Sequence, residues 1–297
     1  MTVLDSKPAE AVLVPEVSAP PAPRPRKKVR PSGWHFFLAP VAALFLLPFV
    51  QMFMASVSPA EELVSFPPPF IPSRIDFGGF VGLFQNTDIL LWLFNTTIVS
   101  GVAILSHLVL CSLAGYGFAR LTFRGRSFGI IAILGTIMIP TQLLMIPTYI
   151  LFSRLGLIDG LGAAIVPWLA SAFGIFLMRQ FFMSLPRELE ESGMIDGANR
   201  WQVFYRIILP LAKPALATLA IFTLLNSWND LVWPLIAINN EGAFTLQLGI
   251  ANFQGTRRTQ WTLLMAANVV ATLPLIIFFL FAQKQFVQTM TMSGLRG

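Results

Sequence analysis

The chain has 297 residues, of which 55% are hydrophobic and only 11% charged, with a net charge of +6. A soluble domain carries about 25% charged residues, so this composition excludes an ordinary soluble fold. One cysteine excludes an intrachain disulfide framework, and the basic residues are spread between apolar blocks rather than gathered into a patch for nucleic acid.

In chain order, residues 1–33 are rich in Pro and Ala and end in the cluster Arg24, Arg26, Lys27, Lys28 and Arg30. Without hydrophobic periodicity this tail is expected to be disordered and cytoplasmic. The apolar block after it is too long for a cleaved signal and reads as an uncleaved signal anchor. Apolar blocks then predict six transmembrane helices, at about 34–57, 89–118, 126–152, 158–183, 212–238 and 261–283. Each is long enough to cross a bilayer core of about 30 Å, and a helix satisfies its own backbone there. Pro40, Pro48, Pro140, Pro147, Pro167, Pro234 and Pro274 fall inside these spans and are expected to kink them. The stretch 58–88 between the first two contains the run Phe66-Pro67-Pro68-Pro69-Phe70-Ile71-Pro72, which is expected to be extended and stiff, as a spacer or a docking strut.

Charge asymmetry orients the bundle. Six Lys/Arg lie in the tail, three in the second connection, five in the fourth and two at the C-terminus, against four on the opposite side. The excess places both termini in the cytoplasm. The sequence predicts an all-α, multi-pass protein of the plasma (inner) membrane.

Chemistry is scarce. The two histidines, His35 and His107, are too few for a multi-histidine metal site, and His107 reads as a hydrogen-bonded interior residue. No lysine follows a glycine, so no phosphate-cradling GxxxxGK[ST] loop exists and no ATP chemistry is expected in this chain. Cys111 reads as a packed, inert thiol. Asp230 is an acid inside a predicted span, beside Asn226, Ser227, Trp228, Asn229 and Trp233. A charge at membrane depth faces the bundle interior or a water-filled path. Two readings stay open: Asn226, Trp228, Asn229 and Asp230 line a substrate path or gate, or they serve structural hydrogen bonding at a helix end.

The connection 185–214 is too polar to span yet has helical character. Pro186 suits the first helical position, and Glu188, Glu190 and Glu191 suit the positive end of a helix dipole. Met194, Ile195, Ala198 and Trp201 give an apolar stripe, and Gly197 permits a sharp bend between two short helices. An amphipathic elbow of this kind lies flat on lipid or docks into a partner's groove; its acidic leading end favours the protein partner.

Glu191-Ser192-Gly193, Gly197, Ile207 and Leu209-Pro210 follow the spacing EAA-x3-G-x9-I-x-LP and resemble the EAA loop of ABC-importer permeases, here spanning 186–213. Ser192-Gly193 stand where the family usually has two alanines. The stretch 34–297 further resembles the carbohydrate-uptake branch, being similar to the second permease of maltose-type transporters. That likeness is carried by Asn226-Ser227-Trp228-Asn229-Asp230, Trp233-Pro234, Ala266, Pro274, Phe286-Val287 and the ending Gly294-Leu295-Arg296-Gly297.

The resemblance implies a transmembrane domain over 34–297 that pairs with a second permease subunit, two ATPase subunits and an extracytoplasmic solute-binding protein. ATP and Mg would be held by the ATPase partners, with no cofactor or metal in this chain. It implies that Glu190, Glu191, Met194, Ile195, Asp196, Gly197, Ala198 and Trp201 couple to the ATPase. It also implies that Gly294, Arg296 and Gly297 contact the ATPase subunits from the C-terminal tail. The expected function is import of a sugar or oligosaccharide by alternating access. A secondary transporter or channel for small polar solutes would leave the patterned elbow unexplained, and a membrane enzyme would need a catalytic constellation that the sequence does not show.

Overall fold

The computed structural model describes residues 33–255 and 259–294, with side chains up to Phe281 apart from that of His35. The expected disordered tail, apart from Gly33, lies outside the described residues, as do Arg296 and Gly297. All named elements among the described residues are helical, with one isolated bridge between Gln254 and Thr259.

We number the main helices α1 (Trp34–Ser56), α2 (Gly78–Asn86), α3 (Ile89–Arg120), α4 (Arg126–Met138), α5 (Thr141–Arg154), α6 (Leu161–Ile165) and α7 (Ala172–Ser184). There follow α8 (Glu188–Ile195), α9 (Arg200–Leu211), α10 (Lys213–Trp228), α11 (Val232–Ala237), α12 (Leu246–Ala251) and α13 (Trp261–Gly294). The chain divides into two units between Leu46 and Leu47. The first carries the greater part of α1, an uninterrupted apolar helix that contains Pro40 and Pro48.

Among the described residues, four helical stretches are long and apolar enough to cross a membrane: Phe36–Ser56, Ile89–Arg120, Leu161–Ser184 and Trp261–Phe281. The number rises to six if two bent pairs each count as one span. The expected span 126–152 is the first pair, bent by 103° where α4 gives way to α5. Pro140 causes the break: a residue before proline is pushed out of the helical region, and Ile139 is extended with ψ 119°. Pro147, by contrast, stays inside α5. The other pair is α9 and α10, bent by 74°.

The expected span 158–183 corresponds to Leu161–Ser184, within which Ser171, itself extended, caps α7 by accepting the Gly174 amide at 3.0 Å. Two other expectations need correction. The span 212–238 stops at Trp228 and resumes at Val232. The final helix runs past 283 to Gly294. The segment 58–88 carries the proline run in a non-helical stretch. Residues 66–72 hold no helix, but α2 fills its last part, and the Asp76 amide donates to the Val57 carbonyl at 2.8 Å to close the loop at its neck.

Two apolar cores form in the second unit. One gathers Trp92, Leu224, Trp228, Trp233, Leu246 and Phe253; the other gathers Tyr116, Met178, Phe182, Phe204, Ile208 and Leu219. Helices α3 and α10 contribute to both and tie them together. A π-helical turn, His107–Cys111, lies within α3. There His107 is buried with Nδ1 2.9 Å from the Ala103 carbonyl, and the Cys111 thiol is fully buried, as expected of both.

Near its start, α3 holds the segment that leads into α12. The buried Asn95 amide donates to the carbonyls of Gly242 (3.1 Å) and Phe244 (2.9 Å), and Thr96 Oγ1 accepts the Leu246 amide at 2.7 Å. Asn95→Ala would leave two carbonyls without these donors, at a cost of about 1–3 kcal/mol. A lower thermal midpoint of the purified protein in detergent is expected; an unchanged midpoint would show that Asn95 does not hold this segment.

Candidate functional site

Helices α8 and α9 form the elbow. Arg187 stands at the N-cap of α8 and Pro186 just before it, two positions ahead of the first helical position expected for it. Glu188, Glu190 and Glu191 occupy the first turn, where the helix dipole favours carboxylates. Gly193 is the buried residue of α8: a Cβ there would meet Ile207 Cδ1 at 2.5 Å, so glycine lets α8 lie close against α9.

Gly197 ends α8 in the left-handed region, at φ 86°. The Ala198 amide donates to the Gly193 carbonyl (3.0 Å) and the Gly197 amide to Met194 (3.1 Å). This pair of bonds is a Schellman termination. Two residues on, Asn199 caps α9 through reciprocal bonds with Gln202, at 2.9 and 2.8 Å. The turn is therefore specified on both sides.

The apolar stripe is interrupted at Gly197, where two short helices meet as expected. Ile195 (85% exposed), Trp201 (66%) and Met194 (45%) stand out around the turn, with Glu191 and Asp196 also exposed and Ala198 half-buried. An isoleucine and a tryptophan this exposed beside one tight turn form a surface suited to a partner.

Glu190 points the other way. Its Oε1 lies 2.7 Å from Arg120 Nε, and its Oε2 accepts the Tyr116 hydroxyl at 3.2 Å. The carboxylate faces into the molecule at the end of α3, away from the exposed cap. Arg120 and Tyr116 escaped the sequence reading because many arginines could pair with this glutamate, and only the fold selects one. A cavity of about 160 Å³ opens beside them, lined by Arg187, Arg200, Glu191 and Met194 among others.

The second set of expected site residues lies where α10 ends. Asn226 and Asn229 are exposed, together with Phe222 and Leu225 on the same side of the helix. Their amides donate back to Phe222 and Leu225 carbonyls, each at 2.7 Å, which draws the helix to its end. Gln247, not foreseen from sequence, donates to Asn229 Oδ1 at 3.4 Å.

Trp228 is on the opposite side, 5% exposed, its indole donating to the Ala271 carbonyl at 3.1 Å. Trp233 is buried likewise and donates to Ala163 at 2.8 Å. Both tryptophans serve packing in this structure. Asp230 is half-buried in the break after α10, its Oδ2 accepting the Trp168 indole at 3.2 Å. Gly294 closes α13 at the edge of the described residues. Among the described residues no cluster of His, Cys, Asp and Glu could hold a metal ion.

Residues 108–292 match a family described as the binding-protein-dependent transport system inner membrane component. The arabinooligosaccharides transport system permease protein of Bacillus subtilis is 33% identical, over 88% of this chain and 94% of its own. The lactose transport system permease protein of Rhizobium radiobacter is 30% identical, over 85% and 92%. Among solved structures, a bacterial ABC transporter involved in the import of the acidic polysaccharide alginate superposes with a TM-score of 0.72. At 24% identity, this covers 87% of this chain and 100% of that one.

Proposed function

The chain belongs to the family of binding-protein-dependent transport system inner membrane components, and from that premise we propose how it works within an ABC importer. It is a multi-pass permease subunit. Its substrate is a sugar or oligosaccharide, a reading supported by relatives named for arabinooligosaccharide, lactose and trehalose transport. It works with a second permease subunit, two ATPase subunits that hold ATP and Mg, and an extracytoplasmic solute-binding protein. A related alginate transporter has been solved with its substrate-bound periplasmic protein. Both termini face the cytoplasm, in line with the Lys/Arg asymmetry.

In this mechanism the chain does no covalent chemistry. The ATPase pair closes on ATP and carries the docked cap of Ile195, Trp201 and Met194 with it. That movement turns the path between the two permeases outward to accept sugar from the binding protein, and hydrolysis resets it. Asn226, Asn229 and the neighbouring Gln247 offer amide donors and acceptors suited to sugar hydroxyls. Exposed Phe222, on the same side, suits a sugar ring face. The single observation that carries the reading is the exposed apolar cap at a turn fixed by Gly197 and Asn199 within the EAA spacing.

Purification from mild detergent tests the assembly. An ATPase, a second permease and a sugar-binding protein are expected to accompany the chain, and the binding protein's own ligand then identifies the substrate. Recovery of the chain alone, active in vesicles without ATP, would overturn the proposal.

A further inference from the structure

A docked elbow does work across the membrane only if its displacement enters a helix that crosses it. Among the described residues, two kinds of contact hold α8 against α9 and α3. One is the apolar contact of Gly193 with Ile207 and Val203 of α9. Such contacts are non-directional and slide at little cost. The other is the Arg120–Glu190 pair, whose side chains are only 7% and 12% exposed.

The hydrogen bonds around that ion pair, from Arg120 Nη2 and from the Tyr116 hydroxyl, are directional. Arg120 is the last residue of α3, and besides meeting Glu190 at 2.7 Å it donates through Nη2 to the Leu185 carbonyl at 2.7 Å. One helical turn back, Tyr116 occupies the other carboxylate oxygen. Both oxygens of Glu190 are thus held by α3, while the same guanidinium grips the chain just before α8. The last turn of α3 is itself fixed. Arg126 donates to the carbonyls of Phe118 (3.0 Å) and Ala119 (3.1 Å), and Arg179 Nε donates to Phe118 at 3.4 Å. Basic groups at a helix C-terminus satisfy its last carbonyls. At the opposite end of α3, Asn95 and Thr96 hold the segment entering α12.

A buried ion pair adds little net stability, because desolvation offsets much of its attraction. Its consequence here is geometric. We propose that Arg120 and Glu190 are positioning residues forming the joint through which displacement of the elbow enters α3, and so reaches the segment that Asn95 and Thr96 hold. This inference rests on the reading of the elbow as the ATPase-docking surface.

The test uses the whole importer in vesicles, with complex yield, ATP hydrolysis and sugar uptake measured together. Glu190→Gln is expected to assemble and to hydrolyse ATP within about twofold of wild type, while uptake per ATP falls about tenfold. Reversing the pair, Arg120→Glu with Glu190→Arg, is expected to restore a substantial part of that ratio. A merely structural role would lower yield and leave uptake per ATP in the assembled fraction unchanged; that result overturns the joint. Should Glu190→Gln not assemble, Tyr116→Phe removes one hydroxyl and leaves the ion pair. A two- to fourfold lower ratio is then expected, and an unchanged ratio overturns the proposal. A wild-type complex that takes up no sugar with ATP would overturn the docking reading and the joint with it.

Discussion

Gly197→Val is expected to cut ATP-driven uptake at least tenfold while leaving membrane insertion and the amount of chain intact. Nothing lies within 4 Å of a Cβ built on Gly197, so the substitution meets no clash. The cost is conformational: φ is 86°, a region a β-branched residue avoids at about 1–3 kcal/mol. The turn relieves that strain by opening the Schellman bonds to Gly193 and Met194. Ile195 and Trp201 then no longer flank the turn in one arrangement. A barrier raised by about 1.4 kcal/mol slows a step tenfold, so uptake should fall at least tenfold with ATP hydrolysis retained. Gly197→Asn, which tolerates the left-handed region, should lose far less. Equal losses in both variants would show that the backbone conformation is not what matters at this position.

Ile195→Asp combined with Trp201→Asp is expected to release the ATPase from the complex. Both side chains are largely exposed, at 85% and 66%, and Trp201 touches the core edge-on at Phe204, so the permease should still fold and insert. Buried anchors of this kind contribute about 2 kcal/mol or more each to an interface, so losing both weakens binding by roughly a thousandfold. Placing carboxylates there also adds desolvation cost on docking. Co-purified ATPase should drop to background while thermal stability of the isolated permease is unchanged. Retention of the ATPase would move the docking surface away from the cap.

How much of this was legible in the sequence differs by element. The long apolar helices α1, α3 and α13 follow directly from hydrophobic runs, because a continuous run in lipid admits only a helix. Prolines within the apolar blocks did not forecast geometry. Pro147 and Pro274 sit within helices, whereas Pro140 stands at a 103° break. The difference depends on whether neighbouring groups allow the helix to continue, which local sequence does not encode. The elbow was legible because its turn is local: Gly197 and the Asn199–Gln202 box act within a few residues.

Long-range pairings were not legible. Arg120 with Glu190, Asn95 with Gly242 and Phe244, and Asp159 Oδ1 with the Asn239 amide (2.7 Å) join residues 70 to 149 positions apart. Trp228 shows the same limit. Its place among polar residues suggested a path, yet a helix turns 100° per residue and puts Asn226 and Asn229 on one side and Trp228 on the other.

On the proposed mechanism, ATP hydrolysed by partner subunits is expected to drive sugar through this permease. The most direct measurement is uptake of labelled oligosaccharide into vesicles holding the purified complex and its binding protein, with ATP supplied on the side the elbow faces. Uptake that requires ATP, the binding protein and an intact Gly197 turn is the predicted result. Uptake that continues without ATP, or is driven by an ion gradient alone, would contradict it.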